Sequence, residues 1–154
     1  MNEPIDDLYR DILMEHYRFP RGHKKVAEVH MHNEGQNPLC GDEIEIAVEL
    51  DGETVKDIYV SCMGCAISVA SGSMLAELIR GKTLSEVKRT AAAVKGMLTG
   101  EENSPKEDLG DLEALKGVRN YPVRIKCALL SWTTLIDAIS ARESGQKVLA
   151  STTE

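Results

Sequence analysis

Four side chains of this 154-residue sequence have types and surroundings suited to chemistry: Cys40, Asp42, Cys65 and Cys127. Cys40 and Asp42 lie in Asn37-Pro38-Leu39-Cys40-Gly41-Asp42, Cys65 in Gly64-Cys65-Ala66-Ile67-Ser68, and Cys127 in Arg124-Ile125-Lys126-Cys127-Ala128. If they converge, three thiolates and a carboxylate form a shell for a thiophilic cation, and the chain handles zinc, iron or sulfur. With a divalent ion that set carries a net charge of about minus two, which Arg124 and Lys126 are placed to offset. Cys65 falls where a strand gives way to a helix and Cys127 in the first turns of the last helix. Free amides and the helix dipole at both places favour thiolate over thiol. Gly41 lets the backbone bend so that Asp42 can return toward Cys40.

Other residues have plainer readings. A free cysteine often only fills space, and no close Cys-x-x-Cys pair accompanies Cys40 or Cys127. Cys62 follows Ile58 and Val60 on one strand face, which suits core packing. Cys62-Met63-Gly64-Cys65 also has the spacing of a redox pair. Its strand belongs to an Asp-Gly hairpin, however, and a redox pair would leave Cys40 and Cys127 unexplained. His16, His23, His30 and His32 read as solvated or hydrogen-bonded. Ser68, Ser71 and Ser73 suit close helix packing better than nucleophilic attack.

The elements that must position these residues follow from periodicity. Ile5, Leu8 and Ile12 recur on one face of a helix over 5–17, which Pro20 ends. A short strand is expected over 26–32. Ile44, Ile46, Val48 and Leu50 alternate with Glu43, Glu45 and Glu49, Asp51-Gly52 makes a tight turn, and Ile58 and Val60 continue the apolar face on the return strand. A helix after Cys65 carries Ile67, Ala70, Met74, Leu75, Leu78 and Ile79, and Gly81 closes it. Thr83 and Glu86 form a capping box for the next helix, which carries Leu84, Val87, Ala91, Val94 and Leu98 and stops at Gly100. Residues 100–107 read as an exposed loop. A short helical piece spans Leu109, Leu112 and Leu115 to Gly117. The last helix starts near Pro122 and runs through Leu129, Trp132, Leu135, Ile136 and Ile139.

The length suits one domain over 1–154, with a core at about 5–140 and a flexible tail at about 144–154. A net charge of −7 argues against a nucleic-acid partner. No apolar run or signal segment points to a membrane or to secretion, and four cysteines without one read as thiols in a reducing, cytoplasmic setting.

Taken jointly, three motifs resemble the SufU/IscU-like iron–sulfur cluster assembly proteins. They are Asn37-Pro38-x-Cys40-Gly41-Asp42, Gly64-Cys65-Ala66-Ile67-Ser68 and Arg124-x-Lys126-Cys127-Ala128-x-Leu130-x-Trp132. Leu8-Tyr9-Arg10, His16-Tyr17 and Pro20-Arg21 are similar to that family's first helix, so the likeness covers about 5–140. It implies an α+β fold, a small antiparallel three-stranded sheet covered on one face by helices. Lys126 before the last cysteine, and extra residues over about 99–118, resemble the SufU branch, which implies a zinc ion on Cys40, Asp42, Cys65 and Cys127. The implied work is to take persulfide sulfur from a cysteine desulfurase of the SufS type and pass it to downstream cluster assembly proteins. Cys40 is then the acceptor and Arg124 a supporting residue. Two alternatives remain: a scaffold that transiently holds a 2Fe-2S cluster on Cys40, Cys65 and Cys127, and a structural zinc or interaction module. The sequence leaves the oligomeric state open. It also departs from the family pattern at Cys62, where the first glycine of Gly-x-Gly is expected, so the loop before Cys65 is expected to differ.

Overall fold

A computed structural model describes residues 4–101, 105–147 and 150–153, with side chains of the first helix described from Leu8 onward. The side chain of Ile5 on the expected apolar face, residues 102–104 of the expected loop, and residues 148, 149 and 154 of the tail lie outside what is described. In order, the elements are α1 (Pro4–Arg18), β1 (Met31–Asn37), β2 (Asp42–Asp51), β3 (Thr54–Met63), α2 (Ala66–Ile79), α3 (Leu84–Thr99), a 3-10 segment (Gly110–Asn120), α4 (Pro122–Ser144) and β4 (Ser151–Thr152). No described helix is long and apolar enough to cross a membrane.

The hairpin forms as its alternation dictates. Ile44, Ile46, Val48 and Leu50 of β2 and Ile58 and Val60 of β3 are buried on one face. β2 pairs antiparallel with both β1 and β3. The sheet has four strands in the order β3-β2-β1-β4, with β4 parallel to β1, so it is mixed where three antiparallel strands were expected.

The first strand spans 31–37, not 26–32. Its inward positions are Met31, Asn33, Gly35 and Asn37, so only one apolar side chain marks the buried face. The buried asparagines are tolerated because they are bonded. Asn33 Nδ2 donates to Thr134 O (3.0 Å) and to Ser151 Oγ (2.9 Å). At Gly35 the helix α4 comes so close that an added Cβ would stand 2.1 Å from Thr134 Oγ1.

The tail expected to be flexible contributes to the sheet. Ser151 and Thr152 pair with Gly35 and Gln36, and Ser151 Oγ donates to Asp137 Oδ2 at 2.6 Å. On the opposite side, the outer edge of β3 is met by loop backbone. Val60 N donates to Gly22 O (2.7 Å) and Val55 N to Lys82 O (2.8 Å).

Helix α2 is buried almost all round because it lies between β3, α1 and α4. Its serines serve that position, with Ser71 Oγ donating to Ala128 O of α4 at 2.6 Å. The inward side of α1 is Tyr9, Ile12, Leu13 and the fully buried His16, while Leu8 faces solvent. A polar last member hid that stripe in the sequence. His16 Nδ1 meets Ser73 Oγ (2.7 Å) and Nε2 meets Asp111 Oδ2 (3.0 Å), joining α1 to α2 and to the 3-10 segment. That segment buries Leu112, Ala114, Leu115 and Val118 and runs three residues past Gly117.

The capping box of α3 is complete, with Glu86 N donating to Thr83 Oγ1 and Thr83 N to Glu86 Oε1, both at 3.1 Å. Thr83→Ala should therefore lower stability by about 1 kcal/mol, measured by urea unfolding.

Candidate metal centre

One end of the sheet, where β1 turns into β2 and β3 into α2, meets the first turns of α4. Asp42 opens β2 opposite Asn37, so strand pairing itself fixes its carboxylate beside the end of β1. Gly41 (φ 73°) makes the reversal that leaves Cys40 on the loop between them. Cys65 caps the N-terminus of α2, and Cys127 sits in the second turn of α4, its side chain wholly buried.

These residues meet. Cys40, Asp42 and Cys127 each offer one ligand atom, and those atoms all lie within 4.8 Å of one another. The two sulfurs are 3.2 Å apart, well beyond a disulfide bond of about 2.0 Å. Cys65 stands just outside this group, its Sγ 4.0 Å from Asp42 Oδ2. Its own backbone N–H donates to Asp42 Oδ1 at 2.8 Å. Asp42 is thus pinned by one oxygen while the other faces sulfur.

Asn37 was read only as part of the loop motif, and its amide matters more than that. Nδ2 donates to Asp42 Oδ2 (3.2 Å) and to Cys127 Sγ (3.3 Å), so one buried group orients two candidate ligands. Its burial and its reach to both groups follow from strand pairing and leave no mark in the sequence. Asn37→Leu, similar in shape but without the donor, should weaken metal retention about 10- to 100-fold, read by competition with a chromophoric chelator.

Of the two cations expected to offset the charge, Arg124 reaches the site, its Nη1 3.8 Å from Cys40 Sγ. Its guanidinium is exposed, and the neighbouring Cys127, Cys65 and Cys40 hold its pKa above the usual range. Lys126 makes no such contact among the described residues.

The expectation that the helix end would make Cys127 a ready thiolate is not met. Burial, reinforced by Cys40, Asp42 and Cys65, pushes the Cys127 thiol well up. Burial and crowding thus hold the proton on Cys127. That crowding is the test of fit, and the residues pass it. A divalent cation would supply the missing charge and favour the Cys127 thiolate. Tetrahedral metal–sulfur bonds of about 2.3 Å set sulfurs about 3.8 Å apart, close to the spacing here. Cys40, Asp42, Cys65 and Cys127 could hold such an ion.

The Cys62 departure falls within the regular strand β3. Cys62 lies in regular pairing with Ile44, and among the described residues no non-glycine has positive φ, so its position has no need of glycine. The antiparallel hairpin around it also removes the basis for a thioredoxin-like reading.

Fold and site together define a class: a small α+β protein in which strand ends and helix starts gather thiols and a carboxylate around space for a soft cation. The family model described as the NifU-like N terminal domain matches residues 8–128. The chain is 40% identical over 144 residues to the zinc-dependent sulfurtransferase SufU of Bacillus subtilis (strain 168), covering 94% of this chain and 97% of that protein. It is 34% identical over 142 residues to the iron–sulfur cluster assembly scaffold protein IscU of Streptococcus pyogenes serotype M1, covering 92% and 89%. A crystal structure of an iron–sulfur cluster assembly scaffold for the SUF system, from Fervidobacterium islandicum AW-1, superposes with a TM-score of 0.78. Its identity is 35%, over 84% of this chain and 94% of that one. The chain belongs to the NifU-like N-terminal domain family, among its SufU/IscU-like members.

Proposed function

We propose that this protein accepts sulfane sulfur from a cysteine desulfurase at Cys40 and passes it on for iron–sulfur cluster assembly. The observation that carries this is the setting of Cys40. It is a half-buried loop thiol at the rim, between the buried Cys127 sulfur and the exposed Arg124 guanidinium. Zinc held by Cys40, Asp42, Cys65 and Cys127 would keep the thiols deprotonated without redox chemistry of its own.

The transfer is a thiol exchange. The Cys40 thiolate attacks the terminal sulfur of a persulfide on the partner's cysteine. A new sulfur–sulfur bond forms at Cys40, the partner's sulfur–sulfur bond breaks, and the partner's cysteine leaves as a thiolate. Arg124 holds the negative charge that passes between these sulfurs. Asn37 and the Cys65 amide keep Asp42 in place while Cys40, on its loop, is free to move. An accessible thiol beside an exposed cation speaks against an inert structural zinc module. The partner in this reading is a SufS-type desulfurase and the setting cytoplasmic.

The IscU relatives favour a second reading, in which the same residues build a transient 2Fe-2S cluster as cargo. Metal analysis of aerobically purified protein, paired with alanine release by the desulfurase, separates the two. Sulfur acceptance expects about one zinc per chain and faster alanine release. Iron with a visible thiolate charge-transfer band and no stimulation would replace it with the scaffold reading.

A further inference from the structure

The proposed ligand set contains three cysteines, and the chain has a fourth beside it. Cys62 stands opposite Ile44 in the β2–β3 ladder. Directly paired residues project to the same face of a sheet, and strand alternation puts Ile44 and Asp42 on one face. The Cys62 thiol therefore shares a face with the Asp42 carboxylate, which lies against Cys65. Ser68 adds a second link: its hydroxyl is 3.6 Å from Cys65 Sγ, and it draws part of the way back the Cys62 thiol that burial pushes up. Within the set, the Cys40 and Cys127 sulfurs stand 3.2 Å apart, so oxidation that joins them leaves Cys65 unpaired.

We propose that Cys62 is the oxidation partner of Cys65, the two closing a reversible disulfide that takes Cys65 out of the metal site under peroxide. In the first step the Cys65 thiolate attacks hydrogen peroxide, giving the sulfenic acid and hydroxide. In the second, the Cys62 sulfur attacks the sulfenic sulfur, the Cys62 proton leaves with the hydroxyl as water, and the disulfide forms. Two electrons pass from the two sulfurs to peroxide, and a dithiol returns them by exchange. Cys62 packs against the hydrophobic core and lies outside the Cys40, Asp42 and Cys127 group whose ligand atoms converge. It is held in reserve. The effect on the metal rests on the ligand set proposed above, whereas the bond does not.

The test uses the protein as purified, treated with hydrogen peroxide, then alkylated and digested with trypsin. Cleavage places Cys62 and Cys65 together in peptide 57–80, with Cys40 in 26–56 and Cys127 in 127–142. Peptide 57–80 should come off unalkylated and about two mass units light, and dithiothreitol should restore it. Zinc should reach a chelating dye in step with that loss. In Cys62→Ser, Cys65 should instead take up oxygen to the sulfinic acid, and dithiothreitol should no longer restore it. The wild-type digest decides the question even if that variant folds poorly. An alkylated Cys62 beside an oxidised Cys65, or Cys65 linked to peptide 26–56 or 127–142, overturns the proposal. Protein purified without metal would remove the ligand reading and leave the peptide result to stand alone.

Discussion

Cys40→Ala gives a folded protein that no longer accelerates a cysteine desulfurase, its stimulation of alanine release falling by about two orders of magnitude or more. The fold should hardly notice. Cys40 lies on a loop outside the hydrophobic core and its sulfur meets polar or thiol groups of Cys127 and Arg124, so the cost is within about 1 kcal/mol. Cys127→Ala is the informative contrast. Its thiol is fully buried on α4 against Asn37, so its removal strands a buried amide donor and opens space. A loss of about 1–3 kcal/mol should accompany the loss of function there. Urea unfolding and alanine release, measured on both variants, separate a reacting thiol from a supporting one. A Cys40→Ala protein that kept more than half of its stimulation would move the acceptor role to another sulfur.

Gly64→Ala has the next largest effect, for a reason of space. An added Cβ would lie 2.1 Å from Asp42 Oδ1 and 2.9 Å from the Asp42 Cα. The strand ends are fixed by pairing, so the carboxylate must leave, and the Cys65 amide then loses its acceptor. Stability should fall by about 2–3 kcal/mol, and purified protein should carry little zinc. Gly41→Ala is the control. Gly41 has φ 73°, so alanine is strained there by about 1 kcal/mol, but its added Cβ meets nothing within 4 Å. Zinc should stay with Gly41→Ala and be lost from Gly64→Ala. Equal retention in both would mean that Asp42 is dispensable for holding the metal.

The sequence was most legible where buried positions are apolar. The β2–β3 hairpin, α3 with its capping box, and the start of α4 at Pro122 follow directly from periodicity and end signals. It was least legible where polar or small residues do the packing. Asn33, Gly35 and Asn37 face inward on β1, so the strand carries no alternation of hydrophobicity and is displaced by five residues at each end when read from sequence. His16 hides the true face of α1 in the same way. The pairing of Ser151 and Thr152 depends on β1 and leaves no local mark. At the site, residue type and motif context named the four candidate ligands, and the structure brings three into tight contact with Cys65 at the edge. What types alone could not supply was the Asn37 amide, whose role depends on strand register, or the raised Cys127 thiol, which depends on burial and crowding.

The borders of the small sheet carry one more consequence. Loop backbone from Gly22 and Lys82 lies against β3, and on the other side the short strand β4, Ser151 and Thr152, pairs with Gly35 and Gln36 of β1. Open strand borders invite another chain to add itself by main-chain bonding. Here part of each margin is already taken, which leaves side-chain surfaces as the larger area open to another protein. The rim that carries Cys40 and Arg124, flanked by the exposed Leu39, Met63, Tyr121 and Val123, is such a surface.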